Sequence, residues 1–219
     1  ANELKIALST TKRMPLPEPY AKQTETGFMM GLNYLTNGTM TLNGRHITVI
    51  HKDDQFKPDL GKALLSAAYN DDKVDIAVGT TGSGIALAML PVAEENKKIL
   101  IVEPAVADDI TGAKWNRYIF RTARNSSQDA CSAAAVTMGP VNVAFLVQDN
   151  AFGHDGVKAS EECLKAQHSK ATVVHVEYAP PATTDFTAAA QRLFDSLKDK
   201  KGPKYIAIGW AGPNPIDKI

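Results

Sequence analysis

The chain has 219 residues, 44% of them hydrophobic, enough to bury one sizeable core or two smaller ones. Lys plus Arg and Asp plus Glu both number 24, a balance that argues against a nucleic-acid binder, whose footprint is a basic excess or stripe. No run of about eighteen apolar residues occurs, so the chain is not expected to span a membrane.

Short apolar, β-rich runs alternate with amphipathic stretches in chain order. Strands are predicted at 4–8, 46–50, 74–78 and 99–102, separated by helices at 21–35, 59–69 and 85–95. A β run at 118–121 breaks the rhythm. The alternation then restarts with a helix at 126–138, strands at 141–147, 172–176 and 205–208, and helices at 156–167 and 186–197. Strand–helix–strand repetition with near-continuous apolar strands is the signature of a parallel sheet covered on both faces. The predicted fold is therefore α/β, with two Rossmann-like, doubly wound parallel-sheet lobes over residues 1–121 and 122–219. Residues 118–125 read as the crossover between them, with a surface hairpin on a single sheet as the alternative. After the last strand, Gly209-Trp210-Ala211-Gly212-Pro213-Asn214-Pro215 leads into a helix start capped by Asn214, so the second lobe reads as unfinished at Ile219.

Two cysteines, Cys131 and Cys163, fit either one disulfide in an oxidising compartment or two buried thiols; neither zinc-ligand spacing nor a Cys-x-x-Cys pair is present. The start Ala1-Asn2-Glu3 has no charged-then-apolar leader and suits a mature, cleaved chain or a cytosolic fragment equally.

In open parallel sheets, ligands bind beyond the carboxyl ends of the strands. The strand at 74–78 ends in Gly79-Thr80-Thr81-Gly82-Ser83-Gly84 and runs into a helix. Glycines there permit a tight turn, and the free N–H groups of a helix start attract an anion. Ser83 reads either as the helix N-cap or as a hydroxyl donor to a ligand carboxylate. Gly79 and Gly84 have phosphate-loop spacing, but Ile85 and Ala86 stand where that loop needs Lys and Ser or Thr, which argues against nucleotide hydrolysis. No G-x-G-x-x-G opens the first turn, which argues against a dinucleotide site. The small residues of Glu103-Pro104-Ala105-Val106-Ala107-Asp108-Asp109 let backbone groups approach a ligand, or form a loop with a helix cap at Asp108 or Asp109. The five histidines show no metal-ligand spacing, and neither a G-x-S-x-G elbow nor a Cys–His motif is present. Asp53-Asp54 and Asp108-Asp109 fit caps at strand ends better than paired catalytic carboxylates. An enzyme is not expected, and neither is a metal or cofactor.

Several segments occur together in order: Tyr20-x-x-Gln23-x-x-x-Gly27, Asp53-Asp54, Gly79-Thr80-Thr81-Gly82-Ser83, Pro104-Ala105, Phe120-Arg121-Thr122-Ala123 with Ser126-Ser127-Gln128, Asp149-x-x-Phe152-Gly153, and Asp185-Phe186-Thr187. In this set the chain resembles the type I periplasmic binding proteins, in particular the branched-chain amino-acid-binding subgroup of ABC importers, along essentially all its length. The resemblance implies a periplasmic protein that binds a small molecule between two lobes by hinge closure, with 122–125 taking up the rotation. It also implies an inner-membrane ABC permease as partner.

Position by position, the resemblance implies that Ser83, Gly84 and the neighbouring helix-start N–H groups hold a ligand carboxylate and that Ala105 contributes backbone contacts. Tyr20, Phe152 and Trp210 become apolar walls. Ala107 stands where amino-acid binders carry a threonine hydroxyl for the α-ammonium, and an ammonium without partners bears an uncompensated desolvation cost. The family's acidic ammonium anchor falls beyond Ile219. Two ligand classes follow: a branched-chain amino acid, or a carboxylate without an amine, such as an aromatic or phenylpropanoid acid stacked between Phe152 and Trp210. The departure at Ala107 and the large aromatic at 210 favour the second. Arg13 is either a second positive group at the site or a solvated side chain. A ligand-sensing regulatory protein of the same fold is the alternative function.

Overall fold

The computed structural model describes residues 2–12, 18–137 and 139–219. They fall into two compact units, Ala1–Ala123 and Arg124–Ile219.

In the first unit the order is β1 (Glu3–Thr10), α1 (Glu18–Thr36), β2 (Thr41–Leu42), β3 (Arg45–Asp53), α2 (Pro58–Asn70), β4 (Ile76–Val78), α3 (Ser83–Asn96), β5 (Ile99–Val102) and β6 (Ile119–Arg121). The sheet order is β2-β3-β1-β4-β5-β6, and every pair is parallel except the β2–β3 hairpin. Side chains of β1 alternate between two cores because successive residues of a strand point to opposite faces. Ile6 and Leu8 pack with Leu32 of α1 and Ile47 of β3, whereas Ala7 joins Leu65 of α2 and Met89 of α3. Burial on both faces explains why the parallel strands read as continuous apolar runs. Helix α3 carries buried residues all round, from Ile85 to Ala93, as a helix wedged between a sheet and a neighbouring helix must.

Two features of this unit go beyond the sequence expectation. The segment 41–42 forms a strand, because Asn43 and Gly44 both take positive φ (49° and 75°), the turn geometry that closes a two-residue hairpin. The β run near 118–121 is the sixth strand of this sheet, paired Leu100↔Ile119 and Val102↔Arg121, so the predicted crossover begins inside the first sheet.

The second unit runs α4 (Ser126–Ala135), β7 (Asn142–Gln148), α5 (Ala151–Ala166), β8 (Thr172–Ala179), α6 (Thr187–Leu197) and β9 (Lys204–Gly209), followed by a 3₁₀ turn at Pro215–Lys218. Its sheet is parallel with order β8-β7-β9. Ala144 and Leu146 face α6, whose Leu193 and Leu197 complete one core; Val143, Phe145 and Val147 face α5 through Val157. The Asn125 side chain accepts from the Gln128 N–H while the Gln128 side chain accepts from the Asn125 N–H, a capping box that starts α4. Helix α4 stops at Ala135, short of the expected 138; Met138 lies outside the described residues. Helix α5 starts five residues before the predicted 156, because the Asn150 side chain accepts from the Gly153 N–H and caps a first turn whose glycine weakens its helix propensity. Asn214 caps the final turn, its side chain accepting from the Ile216 N–H, as the sequence predicts.

Helices α4 and α5 pack through Ala130, Ala134 and Ala159, and a disulfide joins Cys131 to Cys163 across them. This decides between the two readings of the cysteine pair. The bridge closes a loop between residues 32 apart, which constrains the unfolded chain by about 3–4 kcal/mol. Replacing both cysteines with serine is expected to lower the stability of the second unit by that amount, read as a lower urea midpoint by circular dichroism.

Candidate ligand-binding site

At the carboxyl end of the first sheet, three strand ends converge on one side chain. Asp54 follows β3, has no exposed surface, and accepts from the hydroxyls of Thr11 and Thr80 and from the N–H of Phe56 at 3.0 Å. Its own N–H donates to the Thr10 carbonyl at 3.0 Å. Asp53 beside it accepts from the N–H groups of Lys12 and Gln55. The acidic pair therefore works by holding strand-end turns, the role favoured over paired acid–base chemistry. Burial raises the Asp54 pKa above its ordinary value, opposed by the hydrogen bonds from Thr11, Thr80 and Phe56.

The turn after β4 is built against β1. Gly79 has φ +144°, and a Cβ there would lie 2.2 Å from the Ser9 carbonyl oxygen, so only glycine fits. The Gly79 N–H donates to Ile101 O at 3.0 Å, and the Glu103 N–H donates to Gly79 O at 3.3 Å, which splices this turn to the loop after β5. The N-cap of α3 is Gly82, not Ser83, and no side chain caps that end. Ser83 is the first helical residue. Its buried Oγ accepts from the Ala107 N–H at 3.2 Å, because its position one residue into the helix turns it toward the neighbouring loop.

That loop, 103–107, is tied on both sides. The Ala105 N–H donates to Thr80 O at 3.2 Å, and Arg121 at the end of β6 donates to the carbonyls of Ala105 (3.2 Å) and Ala107 (2.6 Å). Asp108 opens a 3₁₀ turn, Asp108–Ile110, without a side-chain cap from Ala107. Ser83, Gly84, Ala105 and Ala107 thus come together at one strand edge. Tyr20 stands in the first turn of α1, 41% exposed, and Arg13 lies outside the described residues.

In the second unit, Phe152 sits in the first turn of α5 and lines a cavity of about 260 Å³ with Ala133, Phe145, Val147, Ile208 and Gly209. Trp210 follows β9 and packs edge-on against Phe186, with ring centroids 5.3 Å apart at 75°. This contact ties Trp210 to the core of the second unit. Gln148, buried at the end of β7, donates through its amide to Ala211 O (2.9 Å) and accepts from the Ala211 N–H (3.3 Å). This brace holds the loop that carries Trp210. Gln148, Arg121, Thr11 and Thr80 have no individual role in the sequence expectation, although Thr80 and Arg121 stand in its motif segments; the available signal was a polar residue at or just after an apolar strand. Gly153 has a packing reason: a Cβ there would meet the Gln148 carbonyl oxygen at 1.8 Å.

No helix of the described residues is long and apolar enough to cross a membrane, and no group of three or more His, Cys, Asp or Glu among them could hold a metal ion. Strand-end loops holding fixed backbone groups are suited to binding a small polar molecule. The periplasmic binding protein model matches residues 3–216, and the chain belongs to that family. It is 64% identical to a structure of an ABC-type branched-chain amino acid transporter from Rhodopseudomonas palustris CGA009, with a TM-score of 0.73 over 99% of this chain and 58% of that one. It is 27% identical to a solute-binding protein of an ABC transporter from Rhodopseudomonas palustris BisB5 in complex with 3,4-dihydroxybenzoic acid, with a TM-score of 0.77 over 95% of this chain and 55% of that one. A Leu/Ile/Val-binding protein homolog 3 of Brucella melitensis is 25% identical over 157 residues, 69% of this chain and 41% of its own length. The chain thus spans little more than half the length of these solved relatives.

The raised Asp54 pKa sets a pH dependence. The folded state binds this proton more tightly than the unfolded chain, so the Asp54 contribution is most favourable below the ordinary carboxylate pKa and declines as pH rises through the raised value. Asp54→Asn has no proton to titrate there. In urea titrations from about pH 4 to about pH 8, the wild type is expected to lose stability relative to Asp54→Asn as pH rises. A difference that stays flat, or grows in favour of the wild type, contradicts the assignment.

Proposed function

We propose that the chain is part of an extracytoplasmic solute-binding protein of an ABC importer, and that its ligand is a small carboxylate without an α-amine, of the aromatic or phenylpropanoid kind. The ligand carboxylate lies against Ser83, Gly84 and the start of α3, with Ala105 and Ala107 as a backbone wall. Tyr20, Phe152 and Trp210 supply apolar contacts. Binding proceeds by hinge closure at 122–125, since a ligand favours the arrangement with which it makes more contacts. The loaded protein then docks on an inner-membrane permease. The protein acts as a carrier, without chemistry on its cargo.

The observation that carries the ligand class is Ala107. Its side chain is a methyl group at 1% exposure, its N–H is already given to Ser83 Oγ, and its carbonyl accepts from Arg121. A side-chain acceptor for an ammonium is missing at that position, and an ammonium buried without partners is costly. The likeness to the 3,4-dihydroxybenzoic acid complex supports the aromatic reading, whereas the name of the 64% identical relative supports a branched-chain amino acid.

A thermal-shift screen of benzoate, 4-hydroxybenzoate and 3,4-dihydroxybenzoate against leucine, isoleucine and valine separates the two. A ligand at a hundred times its Kd stabilises the folded state by about 2.7 kcal/mol. The aromatic acids are expected to raise the midpoint and the amino acids to leave it unchanged; the reverse pattern overturns the reading. Ser83→Ala is expected to weaken binding of the preferred acid by about 1–3 kcal/mol, measured by calorimetry.

A further inference from the structure

The 105–107 wall is apolar in its side chains, Ala-Val-Ala, all buried. It can contact a polar ligand only through its peptide groups, so the orientation of those peptide planes is its specificity. Two kinds of bond set that orientation. The N–H groups of Ala105 and Ala107 are held by Thr80 O and Ser83 Oγ, on the α3 side. The carbonyls of the same two residues are held by a single guanidinium, with Arg121 Nη1 at 3.2 Å from Ala105 O and Nη2 at 2.6 Å from Ala107 O. Nη2 also donates to Thr111 Oγ1 at 3.1 Å, beyond the 3₁₀ turn that follows the wall.

We propose that Arg121 is the positioning residue of the carboxylate site: its planar fork spans two carbonyls two residues apart and fixes both peptide planes of the wall. This rests on the carboxylate reading above. A trans peptide points its N–H opposite to its C=O, so a guanidinium that collects the two carbonyls also sets the direction of the N–H groups that follow them. Arginine suits this because its donors are rigidly preorganised, whereas the lysine ammonium is a single point on a flexible stem and does not hold two carbonyls in one plane. The same strand end is bolted to the start of the loop: the Thr122 hydroxyl donates to Glu103 Oε2 at 2.8 Å and the Thr122 N–H donates to Val102 O at 3.4 Å. The wall and the last residues of the first unit therefore form one hydrogen-bonded body. Arg121 positions the wall from behind and is not itself assigned a contact with the ligand.

The test uses Arg121→Met and Arg121→Lys in the whole chain, with Thr111→Val as a variant that removes one contact and keeps the guanidinium. Amide hydrogen exchange is followed at Val106 and Asp108, whose N–H groups share peptide planes with the two carbonyls held by Arg121, with the N–H groups of α2 as internal reference, and 4-hydroxybenzoate affinity is measured by calorimetry. Arg121→Met is expected to speed exchange at Val106 and Asp108 by about tenfold or more relative to α2 and to weaken binding by about tenfold. Arg121→Lys is expected to fall between it and wild type, and Thr111→Val to leave both readouts near wild type. Uniform acceleration across the unit in Arg121→Lys indicates a general stabilising role and overturns the proposal, as does unchanged exchange at Val106 and Asp108 in Arg121→Met. If the wild type binds no aromatic acid, the carboxylate reading fails while the exchange comparison still decides the positioning role.

Discussion

The carboxylate of Asp54 is shut away from solvent and accepts from Thr11, Thr80 and Phe56, residues that follow β1, β4 and β3. Parallel strands must end in loops, and loops with several backbone polar groups need partners when they are buried. The Asp54 carboxylate takes one backbone N–H, from Phe56, and ties the other two connections through the hydroxyls of Thr11 and Thr80. With the turn after β4 fixed in this way, Gly79 can press against Ser9, and the loop after β5 can be spliced to Gly79 and Thr80. The helix start at Ser83 and the wall at 105–107 inherit their positions from this chain of contacts. The raised pKa of Asp54 is the electrostatic cost of placing the acceptor in the interior.

The second unit solves the same problem with a neutral group. Gln148 closes β7 and exchanges hydrogen bonds with both backbone groups of Ala211, so the loop after β9 is held without a buried charge. Trp210, on that loop, leans on Phe186 of the core, and Phe152 lines a cavity with Phe145, Val147 and Ile208 beside Ser126, Asp129 and Ser160. The disulfide between α4 and α5 adds a covalent constraint beside a sheet of only three strands. A disulfide also suits an oxidising compartment, in keeping with a family of periplasmic binding proteins.

In the first unit, the loop after β5 is fixed mostly through its backbone. Ala105 and Ala107 carry no polar side-chain atoms, and their N–H and C=O groups are distributed between Thr80, Ser83 and Arg121. The Ala107 methyl group is fully packed.

The alternation of apolar strands and amphipathic helices was enough to establish an α/β chain with two parallel sheets, since burial on both faces leaves a continuous apolar run that periodicity detects. The ordered motifs, from Asp53-Asp54 to Asp149-x-x-Phe152-Gly153, carried the family, and glycines at 79 and 82 located the turn after β4. Local signals were read less well where a polar residue outweighed propensity: Asn150 started α5 early, and Asn43-Gly44 made a hairpin that short strands concealed. Only the tertiary structure decided that Ser83 serves Ala107 instead of capping α3, that Cys131 and Cys163 are bridged, and that Trp210 rests on Phe186. The physical reason is the same in each case. These contacts join residues 24 to 32 positions apart, and which groups meet across such a distance depends on the register of strands and the rotation of helices, which local pattern does not encode.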